Sequence, residues 1–262
     1  MEQKVKSLYK ALKLLDYFDE EHKEAGVTEL AEFSGMLKSS VHNILQTFEA
    51  CGYVIQNRDT RKYMLGGTIV ALFSKYKRTR SLDYRVTVEL QKVRDMFDVN
   101  VYLAERDNEH VVYLCQEFAN YQKDDSLNKE GARLPLHCTA AGKVLLAYAP
   151  VEEKKKICNG ELKSFTENTI TDRSVLWEQL EKALYEGYAI SRAEYEENRY
   201  CVAVPIVVGA GYTEVHYAIV IRKNEPIYDY QLKRYIAELK TISREVGSLL
   251  LQNVIGEKSS DK

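Results

Sequence analysis

Apolar positions fall into two regimes along the chain. Up to residue 50 they recur at spacings of three and four. Leu8, Ala11, Leu12, Leu15 and Phe18 predict a first helix with one apolar face. The stretch 19–26 ends it with charge and a glycine. Thr28 stands as N-cap of a short second helix ending at Gly35, with Leu30, Ala31 and Phe33 as its apolar positions. A third helix begins near Lys38, where Ser39 and Ser40 are candidate caps. It turns Val41, Ile44, Leu45 and Phe48 inward and stops at Cys51-Gly52. After Gly52 the period shortens to two. Residues 53–56 and 62–65 read as strands around a turn at 57–61, and Gly66-Gly67 closes the hairpin.

Residues 68–80 return to a helical pattern that is increasingly basic, with Lys75, Lys77, Arg78 and Arg80 and no acidic residue from 67 to 80. Beyond residue 84 helices and strands mix. A helix through Val88, Leu90, Val93 and Phe97 leads to strands at 99–104 and 111–116. Polar residues mark 119–130 as an exposed loop. Helices follow after Thr139 and over 172–185, the latter capped by Thr171 or Asp172 and stopped by Gly187. Strands at 201–208 and 217–222 precede a last helix over 228–252. These patterns divide the chain into a small module (1–66), a linker helix (67–83), a mixed α and β domain (84–255) and a polar, frayed tail (256–262). The fold class is α+β.

Composition narrows the function. The chain has 262 residues, 45% hydrophobic and 29% charged, which is ordinary for a soluble protein. Its longest apolar run, 144–149, is far below the roughly 20 residues of a membrane span, so no membrane role is expected. The start Met1-Glu2-Gln3-Lys4 lacks a signal-peptide apolar region. Five scattered cysteines, at 51, 115, 138, 158 and 201, suit a reducing cytoplasm. The net charge of −2 argues against bulk polyanion binding and leaves room for a local basic patch.

Such a patch lies in the first module. Three helices and a two-stranded ribbon make a winged helix-turn-helix, whose third helix suits the major groove of duplex DNA. With Val41, Ile44 and Leu45 inward, Lys38, Ser39, Ser40, His42, Asn43 and Gln46 face out. Lys38 can meet phosphate. Ser39 or Ser40 can donate to phosphate or touch a base, and Asn43 and Gln46 have the amide geometry that pairs with adenine. Arg58, Arg61 and Lys62 at the ribbon tip suit phosphate or the minor groove. Residues 1–66 hold nine basic and ten acidic side chains, so any positive field is local to this face. On pattern alone, a plain three-helix bundle in which the serines merely cap stays open.

These residues resemble the IclR family of bacterial transcription regulators. The likeness runs over about 5–250. It is carried by Thr28-Glu29-Leu30-Ala31, by the stretch from Lys38-Ser39-Ser40 to Phe48, and by Gly52-Tyr53-Val54. It continues in Gly131-Ala132-Arg133-Leu134-Pro135 through Thr139-Ala140-Ala141-Gly142-Lys143, in Glu186-Gly187-Tyr188-Ala189, and in Cys201-Val202-Ala203-Val204-Pro205-Ile206. The resemblance implies a winged helix domain, a linker helix and a GAF-like effector-binding domain. It also implies cytoplasmic homodimers or dimers of dimers on palindromic operators, answering to small metabolites, often carboxylates or aromatic acids. The expected protein is a DNA-binding regulator, in the first instance a repressor of a metabolic operon, without cofactor, metal or enzymatic activity. The sequence departs from the family pattern at Asn43, usually Arg, and at Cys138, usually a small residue. It also lacks the usual glycine in 194–200.

For the effector, the sequence points to Thr139, Ala140, Ala141 and Gly142 as a loop before a helix. Its N–H groups and dipole would hold a carboxylate. Cys201, Val220 and Arg222 would lie across the pocket, with Arg222 either forking onto the ligand or ending a strand in solvent. Glu194 is either a ligand contact or a surface charge. A catalytic reading needs Cys138 or Cys201 as nucleophile with His137 or His216 as base. Adjacent strand positions point apart, and no nucleophile elbow is present. A metal on His137, Cys138 and Cys201 has no supporting spacing. A sensor acting through protein partners without DNA is the remaining alternative.

Overall fold

The computed structural model describes residues 5–260 apart from 20, 80, 81, 83, 120–130 and 209–214, and the side chains of 252–260 are outside that description. The chain forms two compact units, Met1–Arg80 and Ser81–Lys262. No helix among the described residues is long and apolar enough to cross a membrane.

The first unit contains α1 (Lys6–Lys13), a 3-10 turn (Leu14–Tyr17), α2 (Val27–Ser34), α3 (Lys38–Ala50), β1 (Val54–Gln56), β2 (Tyr63–Leu65) and α4 (Gly67–Thr79). Leu14, Leu30, Val41, Leu45, Val54 and Tyr63 form its core. Strands β1 and β2 pair antiparallel, Val54 opposite Leu65. Tyr63 also exchanges two backbone hydrogen bonds of 2.8 Å with Ala25, tying the hairpin to the entry of α2. The first helix differs from expectation. It buries no residue, and Leu8 and Leu12 are 55% and 51% exposed. The chain tightens into the 3-10 turn, which changes the residues per turn and brings Leu14 inward instead. Phe33 is likewise exposed, its ring and that of Tyr17 meeting edge to face at 5.1 Å. Gly26, not Thr28, caps α2, and the Glu29 carboxylate accepts its N–H. Gly35, at φ 65°, stops the helix as the sequence predicts.

The second unit runs α5 (Tyr84–Phe97), β3 (Asn100–Asp107), β4 (His110–Glu117), β5 (Arg133–Pro135), α6 (Ala140–Ala147), α7 (Val151–Asn159), α8 (Arg173–Glu186), β6 (Ala189–Arg192), β7 (Tyr200–Ile206), β8 (Tyr217–Lys223) and α9 (Asp229–Ser260). Its sheet has the order β5-β4-β3-β8-β7-β6, antiparallel throughout. Helices α5 and α9 pack on the sheet, as does α6. Every β8 residue from Tyr217 to Arg222 is buried, which is why the strand reads as a near-continuous apolar run. On the α6 side, Tyr102, Ala104, Ala218, Val220 and Ala203 join Val144, Leu145 and Leu146 in one core. Asp172 caps α8 through its side chain, and Gly187 ends it at φ 72°.

Three elements escape the sequence pattern. Strands β5 and β6 are three and four residues long, too short to show a period. Helix α7 buries only Cys158, so it carries almost no apolar stripe. Most of the expected loop 119–130 lies outside the described residues. Ala119 does not, and it is buried with its N–H donated to Asn100 Oδ1 at 2.9 Å. Helix α9 continues past Gly256 to Ser260, where the sequence suggests a tail. One glycine costs a helix about 1 kcal/mol and does not by itself end it.

Candidate nucleic-acid interface and effector recess

In the first unit α3 separates its two faces cleanly. Val41 and Leu45 are buried and Ile44 half-buried. Lys38, Ser39, Ser40, His42, Asn43 and Gln46 are all exposed. The cap position is Leu37, with no side-chain cap. Ser39 and Ser40 therefore sit in the first turn and do not cap it. Their hydroxyls and the uncapped N-terminal N–H groups form a donor-rich end of the kind that meets phosphate.

The ribbon tip is held by groups that the sequence pattern does not single out. Asn57 Oδ1 accepts from the N–H of Asp59 (2.9 Å) and of Thr60 (3.3 Å), an Asx turn. Asn57 Nδ2 and Thr60 Oγ1 each donate to Glu24 at 3.0 Å, which holds the Glu24 carboxyl below the usual carboxylate range. Arg58 and Arg61 are exposed, Arg61 in the left-handed region at φ 59°. Lys62 is different. Its Nζ donates to Glu29 Oε1 at 2.9 Å, and that bond raises the Lys62 ammonium above its ordinary range. Of the three cations expected at the tip, two point to solvent and one is engaged within the unit. Glu24 reads in sequence only as helix-ending charge. The signal for its role is the polar turn 57–60, which needs an acceptor to rest on.

In the second unit Thr139 is the N-cap of α6 and not part of a preceding loop. Its Oγ1 accepts from the Gly142 N–H at 3.0 Å and donates to Pro135 O at 3.1 Å. All eight α6 residues are buried, and Ala140 and Ala141 belong to the core. Gly142 is bare for packing. A Cβ there would lie 2.3 Å from Leu136 O. The residues expected to admit a ligand to this backbone instead admit α6 to the Leu136 backbone.

Glu194 is neither a surface charge nor open to a ligand. Lys143 Nζ donates to its Oε1 at 2.7 Å and Oε2 at 2.8 Å, and also to Gln179 Oε1 at 2.7 Å. Burial pulls the Lys143 ammonium down, against the pull of Glu194. The hydroxyls of Thr166 and Thr169 donate, each at 2.6 Å, to the carbonyls of Ala193 and Glu194 respectively. The start of the β6–β7 loop is thus fixed from α6 and from the segment 166–169. Ala193, at φ 54°, and Asn198, at φ 58°, both take the left-handed region in this glycine-free loop.

Arg222 is 1% exposed, not at a solvent end, and its guanidinium stands 5.5 Å from the Tyr102 ring centre. Tyr102 meets Tyr113 edge-on at 5.1 Å. Val220 is core. Beside Tyr113 lies a recess whose polar lining is Thr139, Ser191, Tyr195, Glu196 and Arg199, with Leu134, Cys138 and Cys201 completing it. Of the expected effector residues, Thr139 and Cys201 line this recess. Its free volume is about 20 Å³, enough for about one water. Burial pushes the thiols of Cys138 and Cys201 up to about 12, the opposite of an activated nucleophile. No cluster of three metal-ligating side chains occurs among the described residues.

Comparison with known proteins gives a consistent result. Residues 7–58 match the IclR helix-turn-helix domain, and residues 76–248 match the bacterial transcriptional regulator IclR C-terminal domain. The chain is 31% identical over 248 residues to the HTH-type transcriptional regulator KdgR of Escherichia coli, covering 93% of this chain and 92% of that protein. It is 30% identical over 205 residues to the HTH-type transcriptional regulator XynR of the same organism, covering 77% and 80%. A crystal structure of an IclR homolog from Microbacterium hydrocarbonoxydans complexed with 4-hydroxybenzoate superposes with a TM-score of 0.78 at 19% identity, covering 95% of this chain and 99% of that one.

Proposed function

The chain belongs to the IclR family of bacterial transcriptional regulators, and on that premise we propose that it is a repressor of a metabolic operon, released or engaged by a small carboxylate. Its relatives are DNA-binding regulators and not enzymes, and it is a DNA-binding regulator with them. In our reading Lys38, Ser39, Ser40, His42, Asn43 and Gln46 enter the major groove, while Arg58 and Arg61 meet phosphate or the minor groove. Lys62 acts mainly by holding the ribbon. Two copies in a homodimer, or a dimer of dimers, read a palindromic operator in the cytoplasm. The recess beside Thr139 and Cys201, in the GAF-like domain, receives the effector.

One observation carries the DNA reading: six polar side chains of α3 are exposed while Val41 and Leu45 of the same helix are buried. The acid bound by the Microbacterium homolog supports the choice of ligand class. The test is genome-wide mapping of bound duplex, with and without organic acids, followed by titration of a bound site. Specific binding that an acid weakens or strengthens supports the effector reading. Lower expression of the bound operons when the protein is absent sinks the repressor assignment, and no duplex binding in either state leaves the protein-partner sensor.

A further inference from the structure

Part of the wall of the recess is the β6–β7 loop, through Tyr195, Glu196 and Arg199. Ala193 N–H donates to Arg199 O at 2.8 Å, so the loop folds back on itself. Its start is fixed through Glu194, and its far side presents Glu196 and Arg199 to the recess. Arg199 Nε donates to Glu196 Oε1 at 3.0 Å, and Arg199 Nη1 to Asn224 Oδ1 at 2.6 Å. The second Glu196 oxygen, Oε2, is buried with no hydrogen-bond partner among the described residues. A buried carboxylate oxygen without a donor is costly. Here it belongs to a residue that lines the recess.

We infer that Arg199 and Glu196 read the effector as a pair, the guanidinium taking its carboxylate and Glu196 Oε2 accepting from a hydroxyl or ammonium on the next carbon. This rests on the effector reading above and names the chemistry of that recess. The Asn224 amide oxygen on Arg199 Nη1 is a neutral acceptor, and a carboxylate makes the stronger bond to guanidinium. Exchange of Asn224 for the ligand therefore favours binding. Glu196 stays on Nε, because it already supplies the charged acceptor there. A plain carboxylate would leave Oε2 unsatisfied and place two anions side by side, so the pair selects against it. With room for about one water, the recess must open to admit even a small acid. Tyr195 and Arg199 lie beyond the pinned Glu194, on the part of the loop that Lys143 does not hold.

The experiment is calorimetric titration of the full chain with lactate, alanine and propionate, which carry a 2-hydroxyl, a 2-ammonium and neither. We expect lactate or alanine to bind at least about tenfold more tightly than propionate, and the tighter of the two identifies the donor. Glu196→Ala should bring the preferred acid to within about threefold of propionate. Arg199→Gln should weaken the preferred acid by at least about tenfold, and Arg199→Lys should recover part of that loss, which separates charge from folding. An Arg199→Gln protein that binds like wild type overturns the pair, as does a wild type that prefers propionate. If none of the three binds but another acid still changes duplex affinity, the pair falls and the effector reading stands. If no acid binds or changes duplex affinity, both fall.

Discussion

Lys143 Nζ lies 2.7 Å from Glu194 Oε1, and the two side chains are 1% and 7% exposed. They join α6 to the loop that lines the recess. Truncating either partner leaves the other as an uncompensated buried charge. Lys143→Ala or Glu194→Ala should cost about 3–5 kcal/mol, read from urea midpoints. The double change Lys143→Met with Glu194→Leu should cost less than either truncation, since it buries no lone charge. A double variant as unstable as the sum of both would contradict this account of the pair.

Removing positive charge from the reading face should act through salt. Lys38→Ala, Arg58→Ala and Arg61→Ala should each weaken duplex binding at every sequence. Each should also flatten the plot of log affinity against log salt by about 0.9 for every phosphate left without its cation. Lys62→Ala should flatten it least, because that ammonium is bonded to Glu29. Asn43→Ala and Gln46→Ala should leave the slope unchanged and reduce discrimination between sites by about 1–3 kcal/mol each. Filter binding over a salt series checks all six.

Stability should depend on pH through Glu105. Burial raises its carboxyl to about 7, against an ordinary value of 4.5. The folded protein therefore binds more protons than the unfolded chain between those values, and this group's contribution to stability falls as pH rises through that window. Glu105→Gln removes the effect. The variant should gain about 1–2 kcal/mol over wild type near pH 8 and little near pH 4. Thermal unfolding across that range gives the difference curve, and a flat curve would discount the buried carboxyl.

Thiol reactivity should follow burial. Cys51 is exposed, whereas Cys138 and Cys201 are raised to about 12. Near neutral pH iodoacetamide should label Cys51 first, with Cys138 and Cys201 protected until unfolding. Peptide mass spectrometry resolves the order, and early labelling of Cys138 would revive the nucleophile reading.

Gly142→Ala should destabilise the second unit by about 1–3 kcal/mol, because its Cβ would lie 2.3 Å from backbone oxygen. The effect is on the unfolding midpoint. A ligand contact alone would leave that midpoint unmoved.

Much of this is legible in the residues, and the failures share a cause. The inward stripe of α3, the ribbon, Asp172 and Gly187 around α8, and the apolar run of β8 are local patterns set by period and turn chemistry. Leu8 and Leu12 keep the right period but face solvent, because period says which residues share a side and not what covers it. Lys143–Glu194, 51 residues apart, and Lys62–Glu29, 33 apart, are pairings of distant positions, which no local pattern encodes. Ala140, Ala141 and Gly142 stand out in the sequence as small, but smallness serves close packing as well as ligand access. Only the position of Leu136 decides between them.

The division of labour within α3 has a consequence for how such a regulator can change. Its structural duty rests on Val41 and Leu45, and its outward residues neither cap the helix nor fill the core. If these residues read DNA as proposed, exchanging Ser39, Asn43 or Gln46 would alter which promoters are chosen while the scaffold stays intact. New target genes would then be open to this lineage through single surface replacements, with no need for compensating repairs inside.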